Sequence, residues 1–192
     1  ASDIGVLIGG FVLRLLVPLV IALLLNEVYN NAFKRTAQTV FFLPYFLSWA
    51  VMGGVLRELF EYDGTVNALL QSLGADPIMF LGSNTWFPII VIVSDVWKDM
   101  GYNMIIFLAA ITNVDPALNE SAALDGANRW HQTWHITLPT IRPIIVMLLV
   151  LALGTVFSAG QEQIMLLYNP MVYQSSDIID TLVYRTGLVN HQ

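Results

Sequence analysis

Four stretches of this chain are long and apolar enough to cross a lipid bilayer. Residues 4–25, 37–56, 86–111 and 144–160 are dominated by Leu, Ile, Val, Phe and Met, and an apolar run of about 20 residues spans the hydrocarbon core as a helix. Helices satisfy their own backbone polar groups, which an isolated strand in lipid cannot do, so the spans are expected to be helical. Composition agrees. The chain is 56% hydrophobic and 11% charged, whereas a soluble domain carries about 25% charged residues. This excludes a disordered chain and a water-soluble enzyme. A formal net charge of −6 excludes a nucleic-acid binder driven by basic charge. Without cysteine there is no disulfide, zinc–thiolate site or thiol nucleophile. The expected fold is an all-α membrane protein, a single transmembrane domain over residues 1–192. The start at Ala1 and the polar end at His191-Gln192 read as those of a piece of a longer protein.

Lysine and arginine near the spans set the orientation. Lys34 and Arg35 follow the first span, and Arg129 and Arg142 lie between the third and fourth. The opposite side holds Arg57 and Arg185, among many carboxylates. Loops 26–36 and 112–142 are therefore expected on the cytoplasmic side, and the loop after Arg57 and the tail after Gly160 outside. The first span carries Asp3 and Arg14 and lacks a basic leader, so it is not a signal peptide. In the outer loop, apolar residues at 66, 69, 70 and 73 predict a short interfacial helix between the turn signals Asp63-Gly64 and Gly74. In the tail, Asn169-Pro170 predicts a turn, and Asp177 the start of a helix ending near Arg185.

The loop 112–142 is long for a connection between spans, and its residues specify structure. Asp115 suits an N-cap and Pro116 the first helical position, so a short helix is expected over 116–124. Asp125-Gly126 reads as a turn, and Asn128 as the cap of a second short helix carrying Trp130, Trp134 and Ile136, ended by Pro139 and Pro143. Small residues at the tip (Ser121, Ala122, Gly126, Ala127) leave room for another protein to approach. His131 and His135 have the i, i+4 spacing of a metal pair but lack the glutamate of a zinc-protease motif, and no metal site is expected.

Here the sequence resembles a known family. Glu120-Ser121-Ala122, Gly126, Ile136 and Leu138-Pro139 match the "EAA" signature of binding-protein-dependent ABC importer permeases of type I, with Ser121 replacing one alanine. The resemblance continues in Phe42-Leu43-Pro44, in Gly64, Asn67 and Leu70 of a G-x-x-N-x-x-L loop, and in Trp97-Lys98, Gly101, Asn103 and Met104 of a sugar-type span. The tail from Gln163 to Leu188 is most similar to permeases for oligosaccharides or polysaccharide fragments. The resemblance implies a multi-pass permease of the bacterial inner membrane. Its helix-turn-helix coupling loop (Glu120, Ser121, Ala122, Asp125, Gly126, Ala127, Ile136, Leu138, Pro139) would dock on a separate ABC ATPase. It also implies a second permease subunit, an extracytoplasmic solute-binding protein, membrane lipid as the surroundings, and no nucleic-acid partner. ATP and magnesium would sit on the ATPase, with no cofactor on this chain. The residues agree: Lys34 follows Phe33 and Lys98 follows Trp97, so no Gly-Lys pair is present for a Walker A loop.

Asp95, Lys98 and Asp99 fall at i, i+3 and i+4 inside the third span, with Tyr102 and Asn103 beyond them. Intramembrane charges are costly and face protein or a watery path. Two readings fit: a polar wall of the translocation path, or ion pairs that join helices. Arg14 in the first span is a candidate partner for Asp99. Gln161, Glu162 and Gln163 end the fourth span on the outer side, either touching solute or simply solvated. Three further functions remain open on sequence alone: a permease of the same superfamily for a non-sugar solute, an ion-coupled transporter or channel using the charges of the third span, and, last for want of a catalytic set, a membrane-embedded enzyme.

Overall fold

A computed structural model describes residues 2–155, 161–167 and 169–172. The described residues are helical. In chain order they form α1 (Ser2–Asn26), α2 (Asn31–Phe42), a 3-10 turn (Leu43–Phe46), α3 (Trp49–Phe60), α4 (Thr65–Ser72), α5 (Trp86–Thr112), α6 (Pro116–Leu124), α7 (Arg129–Gln132), a π turn (Thr133–Thr137), α8 (Leu138–Thr155), α9 (Gln161–Leu167) and a 3-10 turn (Pro170–Val172). Among the described residues, Gly9–Asn26 and Arg129–Gly154 are apolar and long enough to cross a membrane. α5 has the length, 27 residues, but differs from these two in carrying Asp95, Lys98 and Asp99.

Two expectations about element boundaries fail. Residues 37–56 are not one helix: α2 stops at Phe42, and α3 starts after Ser48. Pro44 has no N–H to continue the ladder, and the Ser48 hydroxyl accepts from Val51 N at 3.3 Å, capping the new helix. Nor do Pro139 and Pro143 end a separate short helix. Helical structure runs on from Arg129 to Thr155. The ladder changes register in the π turn, where Leu138 N–H bonds Thr133 O. This turn sits just before Pro139, whose missing N–H removes a rung, so the helix absorbs the gap instead of stopping.

The chain divides into two compact units. One holds residues 11–45 and 98–157. Its core gathers Leu15, Ala22 and Leu25 of α1, Met104, Phe107, Leu108 and Ile111 of α5, and Ile141 and Leu148 of α8. The other holds, among the described residues, 2–10, 46–97, 161–167 and 169–172. Its core joins Leu56 of α3, Phe87 of α5, Leu167 of α9 and Val172. The predicted interfacial helix is α4, and Leu69 and Leu73 on it are exposed. The predicted tail helix near 177–185 lies outside the described residues.

Candidate functional site

The knob of loop 112–142 is built by local rules. Asp115 accepts from Ala117 N at 3.0 Å and starts α6. The helix ends in a Schellman arrangement: Gly126 N–H bonds Ala123 O at 3.1 Å and Ala127 N–H bonds Ala122 O at 2.9 Å. Gly126 has φ +83° with open space where a side chain would stand. Asn128 then accepts from His131 N at 2.8 Å and caps α7. α6 buries none of its residues. Glu120, Ser121, Asp125 and Gly126 are exposed, Ala122 and Ala127 half-buried, and Leu124 is 90% exposed. Ile136 and Leu138 instead pack on the core, while Pro139 is exposed. A short helix with no buried residue and a bare leucine is an exposed surface open to contact with another protein.

Arg129, at the start of α7, joins this knob to the end of α1. Its guanidinium bonds the Glu27 carboxylate at 3.1 Å and the Tyr29 hydroxyl at 2.7 Å. Residues 26–36 and the knob thus lie at the same end of their unit, as the charge count required.

Further along α5 and α1, Arg14 pairs with Asp99. Lys98 is 9% exposed, and its Nζ donates to Tyr45 O at 3.2 Å. Tyr45 stacks on Tyr102 at 5.1 Å and on Phe42 at 5.6 Å. A Cβ on Gly101 would lie 2.6 Å from Phe42 Cα, so α5 approaches the end of α2 at the one residue without a side chain. The turn that follows Phe42 and the Lys98–Tyr102 segment are therefore two halves of one joint. Tyr102 is 46% exposed, and Asn103 is half-buried.

In the other unit, Asp95 is half-buried. Its neighbour Ser94 donates to Ile90 O at 2.5 Å and accepts from Gln163 Nε2 at 2.8 Å. Gln163 also donates to Val91 O at 2.9 Å. It is 1% exposed and its Oε1 is unpaired. Gln163 thus joins α9 to α5, while Glu162 is exposed. The side chain of Gln161 lies outside the described residues.

Sequence reasoning gave the outer G-x-x-N motif no role. Asn67 is 1% exposed. It donates to Tyr62 O at 3.0 Å and Ile78 O at 2.8 Å, and accepts from Ile78 N at 2.8 Å. A Cβ on Gly64 would lie 2.8–2.9 Å from the carbonyls of Leu59, Glu58 and Glu61. The motif fastens the outer loop onto the end of α3. A polar residue between the helix-spaced apolar positions 66 and 69 was the available signal. Arg57 also donates to Leu166 O at 2.5 Å and Asn169 to Leu81 O at 2.9 Å, so the loop after Arg57 and the segment after Gly160, both expected outside, meet.

The model of the binding-protein-dependent transport system inner membrane component family matches residues 14–187. The chain belongs to this family. As a member, it is 41% identical over 172 residues to Protein LplB of Bacillus subtilis (strain 168), covering 89% of this chain and 54% of that protein. It is 42% identical over 177 residues to the polygalacturonan/rhamnogalacturonan transport system permease protein YteP of the same organism, covering 92% of this chain and 55% of YteP. The chain thus spans about half the length of these relatives. A crystal structure of a bacterial ABC transporter importing the acidic polysaccharide alginate is 39% identical, with a TM-score of 0.91, covering 99% of this chain and 68% of that one. A second, of such a transporter with an alginate pentasaccharide-bound periplasmic protein, is 40% identical with a TM-score of 0.90, covering 97% and 67%. The fold is that of an ABC importer permease.

Proposed function

We propose that this chain is part of a permease subunit of an ATP-driven importer of carbohydrate in the bacterial inner membrane. The observation that carries the reading is the exposed knob of α6 and Gly126, held at its base by Arg129, on a chain of the permease family. Relatives named for polygalacturonan and rhamnogalacturonan and for arabinooligosaccharides, and a structural neighbour importing alginate, support carbohydrate as the solute.

In this reading Glu120, Ser121, Ala122, Asp125, Gly126 and Ala127 seat in a cleft of an ABC ATPase, and Ile136, Leu138 and Pro139 fix the knob to α8. Nucleotide-driven movement of the ATPase displaces the knob as a rigid body, and packed elements pass the displacement to the spans. The chain carries no ATPase motif of its own, and ATP and magnesium act on the partner. A second permease subunit completes the pathway, and an extracytoplasmic solute-binding protein delivers the sugar. The contacts of Lys98 with Tyr45 and of Asp99 with Arg14 support a helix-joining role for these two charges. Asp95, Tyr102 and Asn103 remain the candidates for the path wall.

The test is a mild-detergent pull-down of the tagged full-length protein from its native membranes, with mass spectrometry of the co-purifying chains. An ATPase subunit and a second permease are expected. A protein that repeatedly arrives alone, in a detergent that preserves such complexes, would overturn the reading.

A further inference from the structure

The unit that carries the outer loop forms an open cavity of about 300 Å³ between the end of α3, residues 79–82 and residues 167, 169 and 171, with Arg57, Glu61 and Tyr62 exposed at its rim. It lies at the lower end of the ligand-pocket range of roughly 300–1,000 Å³, which is room for one or two sugar rings. Its wall is aromatic. Phe60 meets Phe80 edge-on at 5.6 Å, and Phe80 meets Trp86 at 5.5 Å. Phe60, Phe80 and Tyr62 all line the cavity.

Three polar side chains converge on the same space with hydrogen-bonding capacity left over. Arg57 makes one bond, to Leu166 O, which leaves further guanidinium N–H groups. Glu61 follows Arg57 at i+4, a spacing at which opposite charges usually pair on a helix surface. Yet Arg57 and Glu61 form no salt bridge with each other. Among the described residues the Glu61 carboxylate and the Tyr62 hydroxyl accept or donate no side-chain hydrogen bond. The frame around them is fixed: Asn67 ties the loop down, and the Asn169 amide bonds Leu81 O. A rigid pocket with an aromatic wall and a rim of guanidinium, carboxylate and phenol has the chemistry that recognises a pyranose. A sugar there would lay its ring C–H groups on the aromatic side chains and offer its hydroxyls to Arg57 and Glu61.

We infer that this cavity is an outer subsite for one end of an oligosaccharide, which it receives before the chain enters the membrane path. The inference rests on the carbohydrate reading above. It assigns Arg57, Glu61 and Tyr62 to sugar contact, a role separate from that of the charges of α5.

The test uses the full-length protein in its assembled transporter, with any native cysteine replaced and a single cysteine introduced as Tyr62→Cys or, separately, Met79→Cys. A membrane-impermeant maleimide is applied from outside, with no binding protein present, and maltotriose or trigalacturonate is titrated in. Both variants should label from outside. At ten times the half-protecting concentration, either sugar should slow labelling about ten-fold. Failure of both positions to label would mean that other parts of the protein cover the cavity, and would overturn the inference. So would labelling that no sugar slows but that sugar-free binding protein does, which would make the cavity a docking surface for that protein. Uptake of the same sugars by the unaltered transporter is measured in parallel. Uptake without protection defeats the subsite and leaves the carbohydrate reading standing, whereas a lack of uptake of any sugar tried defeats that reading itself.

Discussion

The guanidinium of Arg14 pairs with the carboxylate of Asp99 across 85 positions of sequence, joining α1 to α5. Both side chains are about three-quarters shielded, at 22% and 25% exposure. A lone charge near the centre of a membrane helix costs about 2.5–3.5 kcal/mol on insertion scales. Arg14→Leu and Asp99→Leu should therefore each destabilise the protein by about 1–3 kcal/mol. The double variant, which leaves no charge unpaired, should regain most of that. Thermal unfolding in detergent checks this, and a double variant less stable than either single one would show that the pair does not act as a unit.

The knob separates backbone from surface at one residue. Gly126 has φ +83° and nothing within 4 Å of its Cβ position. Alanine there should cost about 1–2 kcal/mol of local backbone energy. Asparagine tolerates a positive φ and should keep the fold while adding bulk at the tip. Gly126→Asn and Glu120→Lys should insert normally but lose the ATPase on purification. Retention of the ATPase by both would contradict docking through this surface.

Gly64 and Asn67 should matter for stability. Asn67→Ala leaves the Ile78 N–H and several carbonyls without their partner, and each unsatisfied buried group costs about 1–3 kcal/mol. Gly64→Ala drives a methyl against three backbone carbonyls. Both should lower the melting temperature of the purified complex. Any fall in sugar transport should track the loss of folded protein.

The Arg129 bracket behaves differently. Its salt bridge to Glu27 is 66% and 43% exposed, and exposed pairs contribute little to stability. Glu27→Gln with Tyr29→Phe should leave the melting temperature nearly unchanged. If the bracket fixes the knob to α1, however, the ATP hydrolysed per sugar carried should rise. An unchanged ratio would assign the bracket no part in coupling.

What the sequence disclosed was set by the range of the interaction involved. Asp115, Pro116, Gly126 and Asn128 act within four residues, and the knob they specify is legible to the residue. Arg14 and Asp99 are far apart, yet the cost of charge in lipid leaves few partners for each, so the pair was foreseeable. The break after Phe42 was signalled by Pro44 and Ser48 but hidden by the unbroken apolar run around them. The π turn before Pro139 was not legible, because a proline in a helical pattern ordinarily marks an end, and whether the ladder shifts register instead depends on packing against α1 and α5. The burial of Gln163 against Ser94 was also out of reach, since a glutamine at the end of a span is equally at home in water.

In this mechanism the protein carries sugar only when an ATPase drives it through the knob. The direct measurement is uptake of labelled oligosaccharide into proteoliposomes holding the full transporter, with ATP inside, binding protein outside and no ion gradient. Accumulation should require both ATP and binding protein and be abolished by Gly126→Asn. Accumulation that proceeds without ATP and follows an imposed proton or sodium gradient would contradict it, and would return the charges of α5 to the role of an ion relay.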